Sequence, residues 1–391
     1  MRFGRSIERE LSLRHPGDDP TGFVVRSLQI DDSTRRGLYL VPGARVRVDV
    51  DVPEGGLLRF DALGVPPEGA DPAVARDGQA IVVHVVVDGS SEALGSLRPP
   101  DAHPQRVEWS LHRWAGQSIT LELQAPPDGT DAHDAVLLAS PVVAVPEASP
   151  PRVVMVFIDT LRPDHLGMYG YERPTSPNLD RWSEHAVRFT EARSVAPWTL
   201  PSARTMLTGR QPEAFYEGPT LADQLSRAGW RTDAFVTNAF LSQPFDLHRG
   251  WDQFDYIHLD DATHVVEQAV DAIEAWPDRD TFVMVHLMEP HLPYREGRYH
   301  GSLFAGSKPD GIDFLSRKHL SDVTQDREDF GDIRQHVVDR YDQNIRAVDD
   351  ALTPLLETVG PDATVMLVSD HGEEFWDHGG FEHGHTLHEE L

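Results

Sequence analysis

In the second half of this sequence four apolar runs each end on polar groups: VVMVFI on Asp159, AFVT on Asn238, FVMV on His286, and TVMLVS on Asp370 and His371. Two Asp carboxylates and an imidazole make a hard-to-borderline donor set, suited to one divalent ion such as Zn, Mn, Mg or Ca. The chain contains no Cys, which excludes disulfides, thiolate zinc knots and cysteine nucleophiles together. The remaining requirement is a nucleophile, and the segment SVAPWTLPSARTMLTGR offers Thr199 and Ser202 in a specific context. Pro201 suits the first turn of a helix running through Ser202 to Leu207. Thr199 then stands just ahead of a helix N-terminus, where free amides and the positive dipole end favour an alkoxide and a bound anion. Ser202 competes for that role, and a plain N-cap would also place a Thr at 199.

The elements that must position these groups follow from periodicity. Short continuous apolar runs read as buried parallel strands. Between them lie helical stretches such as TLADQLSRAG and HVVDRYDQNIRAVDDALTPLLETVG, where Val338, Tyr341, Ile345, Val348, Leu352 and Leu355 recur at three- or four-residue spacing. Strand and helix alternation predicts a doubly wound α/β layer with a mostly parallel sheet. In such a sheet ligands bind beyond the carboxyl ends of the strands, so Asp159, His286, Asp370 and His371 converge on one crevice. Residues 1–145 read differently, as short alternating strands (RVRVDVDV, LLRFDAL, SITLELQA) between Pro, Gly and Asp turns, the pattern of a β-sandwich. Residues 146–151 read as a Pro-rich linker, and 152–391 as a second, α/β domain.

Composition bounds the partners. With 35 basic against 64 acidic side chains the 391-residue chain carries a formal net charge of −29, a field that repels nucleic acid and anionic lipid. An anionic small substrate is still accommodated where a metal or an Arg and His cluster inverts the potential locally. No apolar stretch has the length of a signal-peptide core or a membrane span. As given, the chain reads as cytoplasmic; a preceding leader would redirect it to the periplasm or the exterior.

The second domain resembles the sulfatase family of the alkaline phosphatase superfamily. The resemblance rests on VVMVFIDTLRPDHLGMYGY, TLPSARTMLTGR, TLADQLSRAGWRTDAFVTNAF, HLMEPHLPY and SDHGEEFWDHGGFEHGHTLHEE, in that order. It implies an alkaline-phosphatase-like α/β/α sandwich, with metal ligands Asp159, Thr199, Asp370 and His371, and Thr199 as nucleophile. His291 and His383 fall where the family contacts the ester anion or leaving group. His378 and His385 join Arg204 as expected substrate contacts. The family's small C-terminal sheet is expected to lie beyond GHTLHEEL, where this sequence stops. VEWSLHRWAGQSITLELQA and VVVDG resemble the jelly-roll modules found beside such enzymes, with Trp109 and Trp114 as either a glycan-binding face or packing residues.

Three departures from the family pattern matter. Typical members place a Cys or Ser at the nucleophile and oxidise it to formylglycine; Thr199 cannot make that aldehyde, so no formylglycine is expected. Thr160 replaces a second ligand Asp, and Ala203 replaces an Arg that Arg204 follows by one residue. The resemblance therefore implies a metal-dependent hydrolase of small-molecule or glycan-linked sulfuric or phosphoric esters, with phosphoester cleavage through Thr199 favoured. The alternatives are a phosphoalcohol transferase and a non-catalytic glycan-binding protein. Residues 294–333 are polar and long enough for a lid or a surface insertion.

Overall fold

A computed structural model of the protein describes residues 5–6, 23–30, 33–65, 80–99, 104–126, 135–146, 149–214, 218–258, 261–294, 303–306 and 308–391. The described strands before residue 145 are β1 (Arg5–Ser6), β2 (Phe23–Ile30), β3 (Ser33–Leu40), β4 (Arg45–Asp51), β5 (Leu57–Val65), β6 (Ile81–Val87), β7 (Ser90–Leu97), β8 (Gln105–Ser110), β9 (Ser118–Gln124) and β10 (Ala135–Ala144). Period-two patterning becomes burial directly: in β4, Val46, Val48 and Val50 are buried while the intervening Arg47 and Asp49 are exposed. The order β4-β9-β6-β7 forms one antiparallel sheet, and β3-β10-β5-β8 forms a second antiparallel layer. Leu38, Leu58 and Phe60 of the second layer share a core with Val46, Val83 and Leu121 of the first. This strand order is the double Greek key of a jelly roll.

Trp109 and Trp114 pack against that core, and Trp109 meets Phe60 edge-on at 5.5 Å. Gly95 makes the seat, since a Cβ there would lie 2.6 Å from the indole ring. Of the two roles weighed for these indoles, the contacts are those of packing residues.

The second half supplies β11 (Arg152–Ile158), α1 (Pro177–Ser183), α2 (Thr199–Thr208), α3 (Leu221–Arg227), β12 (Arg231–Val236), β13 (Gln253–Tyr256), α4 (Ala262–Ala275), β14 (Thr281–Leu287), α5 (Arg317–Ser321), α6 (Phe330–Val359) and β15 (Thr364–Ser369). The strands pair in the order β15-β11-β14-β12-β13, all parallel. Alternate residues feed two cores: Val154, Val156, Val283 and Val285 pack with α4 and α6, while Met155, Phe157, Phe282 and Met284 pack with α2 and its neighbours. The result is a three-layer α/β/α arrangement. α6 runs from Phe330 through Pro354 to Val359, longer at its start than the periodic pattern predicts.

Across the compositional change at 145–151, β13 pairs antiparallel with β3, joining parallel sheet and outer jelly-roll layer into one eleven-stranded sheet. Buried Arg231 reinforces the seam, bonding Asp233 on its own strand and Ser140 on β10. Linker residues 147–148 lie outside the described residues. Of the lid and the surface insertion left open for 294–333, the described part has packed residues: Ile312, Phe314, Leu320 and Val323 are buried in the core beside α6. Residues 295–302 and 307 lie outside the described residues.

Candidate active site

Register brings the first ligands together. β11 lies between β14 and β15, with Ile158 opposite Leu287 on one side and Ser369 on the other, so Asp159 and Asp370 leave the sheet side by side. The chain turns at Thr160, a β-branched residue at φ +57, a conformation that costs energy and persists only where its surroundings enforce it. Here Tyr341 does so, donating its hydroxyl to the Thr160 carbonyl at 2.7 Å and accepting from the Arg162 amide at 2.8 Å. The turn aims the Thr160 amide at Asp370 Oδ1, 3.3 Å away, and the His371 amide adds a second bond at 3.0 Å.

Those bonds leave the other donor atoms bare. Asp159 Oδ1, Asp370 Oδ2 and His371 Nε2 are all buried without a hydrogen bond of good geometry. His371 Nε2 lies 3.2 Å from Asp370 Oδ2 and 3.6 Å from Asp159 Oδ1. One ligand atom from each of the three residues fits within a 4.8 Å spread. His371 Nδ1 pairs with the Gly372 carbonyl at 2.9 Å, which fixes a proton there and turns Nε2 toward the two carboxylates. Burial lowers the His371 pKa, but Asp370 and Asp159 outweigh it and raise it to about 9. Burial also works against the Asp159 carboxylate, and facing His291, His286 and His371 hold it well below the usual carboxylate range. Buried carboxylates with bare oxygens around an outward imidazole nitrogen are the donor chemistry of a divalent cation site.

Thr199 is the first residue of α2 and is 3% exposed. Its hydroxyl reaches the Asp159 carboxylate through Asn238: the amide Nδ2 donates to Asp159 Oδ2 at 2.7 Å and to Thr199 Oγ1 at 3.3 Å. Asn238 Oδ1 accepts from the Phe240 amide at 2.9 Å, which orients the side chain. Ser202, the competing hydroxyl, donates to the Ala196 carbonyl at 3.0 Å. Sequence reasoning gave Asn238 no role, although its position after an apolar run matches that of the acidic ligands.

The expected histidines divide into two groups. His383 stands against the cluster, its ring 4.3 Å from His371 and 5.0 Å from His291. His286 Nε2 lies 3.4 Å from Asp159 Oδ2, with Nδ1 3.1 Å from the Thr237 hydroxyl. His378 and His385 gather instead at Glu374, in a hairpin of β16 (Glu374–Phe375) and β17 (Phe381–Glu382). His378 pairs with Glu390 at 2.8 Å, and His385 with Glu374 at 3.2 Å. Arg204 is buried, donating its guanidinium to the Phe245 carbonyl, a bond between α2 and the turn that follows Asn238.

The sulfatase family model matches residues 151–390, more than half the chain. The chain belongs to the sulfatase family. Among curated relatives, arylsulfatase A of Bos taurus is 36% identical over 86 residues, covering 22% of this chain and 17% of that protein. The phosphoethanolamine transferase EptC of Escherichia coli O18:K1:H7 is 22% identical over 251 residues, covering 58% of this chain and 40% of that one. This sulfatase-family chain thus spans well under half the length of either relative. Among solved structures, the C-terminal periplasmic domain of E. coli EptC in complex with Zn is 20% identical with a TM-score of 0.48, over 60% of this chain and 68% of that chain. BT1596, a 2-O GAG sulfatase, is 15% identical with a TM-score of 0.49, over 62% of each chain. Among the described residues no helix is long and apolar enough to cross a membrane.

Proposed function

We propose that this sulfatase-family chain is a metal-dependent ester hydrolase that cleaves phosphoesters through Thr199. The observation that carries the reading is the Asn238 bridge, which ties the Thr199 hydroxyl to the Asp159 carboxylate at a helix N-terminus. A divalent ion held by Asp159, Asp370 and His371 would lower the pKa of the attacking hydroxyl and neutralise charge on the transferred group. Thr199 Oγ1 attacks phosphorus in line, with its proton lost to the medium. The new Oγ1–P bond forms as the bond to the leaving oxygen breaks, and His383 gives that oxygen a proton. The free amides at the start of α2 face the transferred anion. Water then attacks the phosphothreonine, its proton returning to His383, and the P–Oγ1 bond breaks with Oγ1 taking a proton back from the medium to restore Thr199.

Phosphate is favoured over sulfate because Thr199 cannot become formylglycine. The formylglycine hydrate expels sulfate with the help of its second hydroxyl, and a Thr side chain has none. A second reading, transfer of a phosphoalcohol to an acceptor hydroxyl in place of water, is supported by the 251-residue likeness to a phosphoethanolamine transferase. In both, residues 1–145 act as an accessory layer to a catalytic domain over 152–391. The test is turnover of an aryl phosphodiester, an aryl phosphomonoester and an aryl sulfate, each with Zn or Mn and with chelator. The proposal expects metal-dependent cleavage of a phosphoester; cleavage of the sulfate alone would overturn it.

A further inference from the structure

The turn that supplies Asp370 and His371 also carries Glu373, a carboxylate with no exposed surface. Its two oxygens are separately engaged. Oε1 pairs with His383 Nδ1 at 2.8 Å, and Oε2 accepts the Tyr294 hydroxyl at 3.1 Å. Tyr294 is 1% exposed and packs edge-on against Tyr341 and Phe375, so the far end of the chain of bonds is fixed by the core. His383, by contrast, keeps 10% of its side chain open beside His371 and His291. A carboxylate on Nδ1 selects the tautomer that carries hydrogen there, and leaves Nε2 as the nitrogen that faces away from Glu373.

We infer that Tyr294 and Glu373 are positioning residues for His383, forming a Tyr–Glu–His relay that presents the Nε2 proton to the leaving oxygen and so adapts the enzyme to esters of aliphatic alcohols. This inference rests on the proposed phosphoester cleavage. As the P–O bond to the leaving group breaks, its electron pair stays on oxygen and takes the Nε2 proton of the imidazolium. The ring becomes neutral with Nδ1–H still bonded to Glu373, and the attacking water later returns a proton to Nε2. An aryl oxide departs without such help, whereas an alkoxide does not. An oriented acid therefore contributes in proportion to the basicity of the leaving group.

The test compares an alkyl and a 4-nitrophenyl ester of the same methyl phosphate, in metal-loaded wild type, Glu373→Gln, Tyr294→Phe and His383→Ala. Glu373→Gln is expected to lower kcat/KM for the alkyl ester, which reports the step that expels the alcohol, by on the order of 100-fold, with kcat/KM for the nitrophenyl ester nearly unchanged. Tyr294→Phe should move the same way by less. In the His383→Ala background Glu373→Gln should add almost nothing, as for residues acting as one unit. Equal losses on both esters, or additive losses with His383→Ala, would overturn the relay. Failure of the parent reading looks different, with wild type turning over neither ester. In that event the 15N spectrum of His383 decides the relay: Nδ1 protonated in wild type and altered in Glu373→Gln supports it, and identical spectra refute it.

Discussion

Asn238 stands between Thr199, the proposed nucleophile, and Asp159, a proposed cation ligand: one amide group lies 2.7 Å from Asp159 Oδ2 and 3.3 Å from Thr199 Oγ1. The two proposed roles are coupled through a single side chain. Asn238→Ala leaves every proposed ligand in place but frees both the Asp159 carboxylate and the Thr199 rotamer. Loss of such a supporting hydrogen bond should cost about 10- to 100-fold in activity or metal affinity, read by kcat on a phosphodiester and by calorimetric titration with Zn or Mn.

Bare oxygens at Asp159 and Asp370 predict a cation that stabilises the fold. Adding Zn or Mn at about 100 times its dissociation constant should stabilise wild type by about 2.7 kcal/mol, seen as a rise in Tm. Asp370→Asn should lose most of that rise, and metal analysis of the dialysed variant should find the site depleted. An equal rise in wild type and variant would place the cation elsewhere.

Much of this centre was legible in the sequence. Asp159, His286, Asp370 and His371 were readable because a strand that is buried on both faces announces its own end, and parallel strands end at one edge. Asn238 carried the same positional mark but no charge to single it out. Glu373 and Tyr294 were hidden for another reason, since a residue acting through a histidine has no pattern of its own until the fold brings the pair together. The continuous sheet across β3 and β13 was equally unreadable, because pairing at a strand edge uses backbone groups that every residue has. His378 and His385 were grouped with the site by proximity in sequence; in the structure their rings pair with Glu390 and Glu374 respectively.

Packing in the jelly-roll half makes a separate prediction. A methyl group at position 95 would fall 2.6 Å from the Trp109 ring, so the indole or the strand must shift. Gly95→Ala should lower stability by about 1–3 kcal/mol, measured by urea unfolding, with the metal affinity of the other half unchanged.

Asp349 predicts a pH dependence away from the site. Its oxygens accept the Asn178 and Leu179 amides at 3.0 and 2.7 Å, tying α6 to the start of α1. Burial dominates these bonds and pushes the carboxyl up to about 6. A folded pKa above the unfolded one means that its contribution to stability is fully present below the ordinary value near 4 and is lost as pH rises through 6. Compared with Asp349→Asn, which does not titrate, wild type should therefore lose stability between pH 4 and pH 7. Parallel stability curves for the two proteins over that range would contradict the assignment.

The central claim is a covalent bond to Thr199, and acid quenching of metal-loaded protein during turnover of an aryl phosphodiester, followed by peptide mass spectrometry, tests it most directly. The account predicts a phosphoryl adduct on the peptide containing Thr199, with Thr199→Ala keeping its metal but losing both adduct and turnover. Undiminished turnover by Thr199→Ala, or an adduct on another residue, would contradict it.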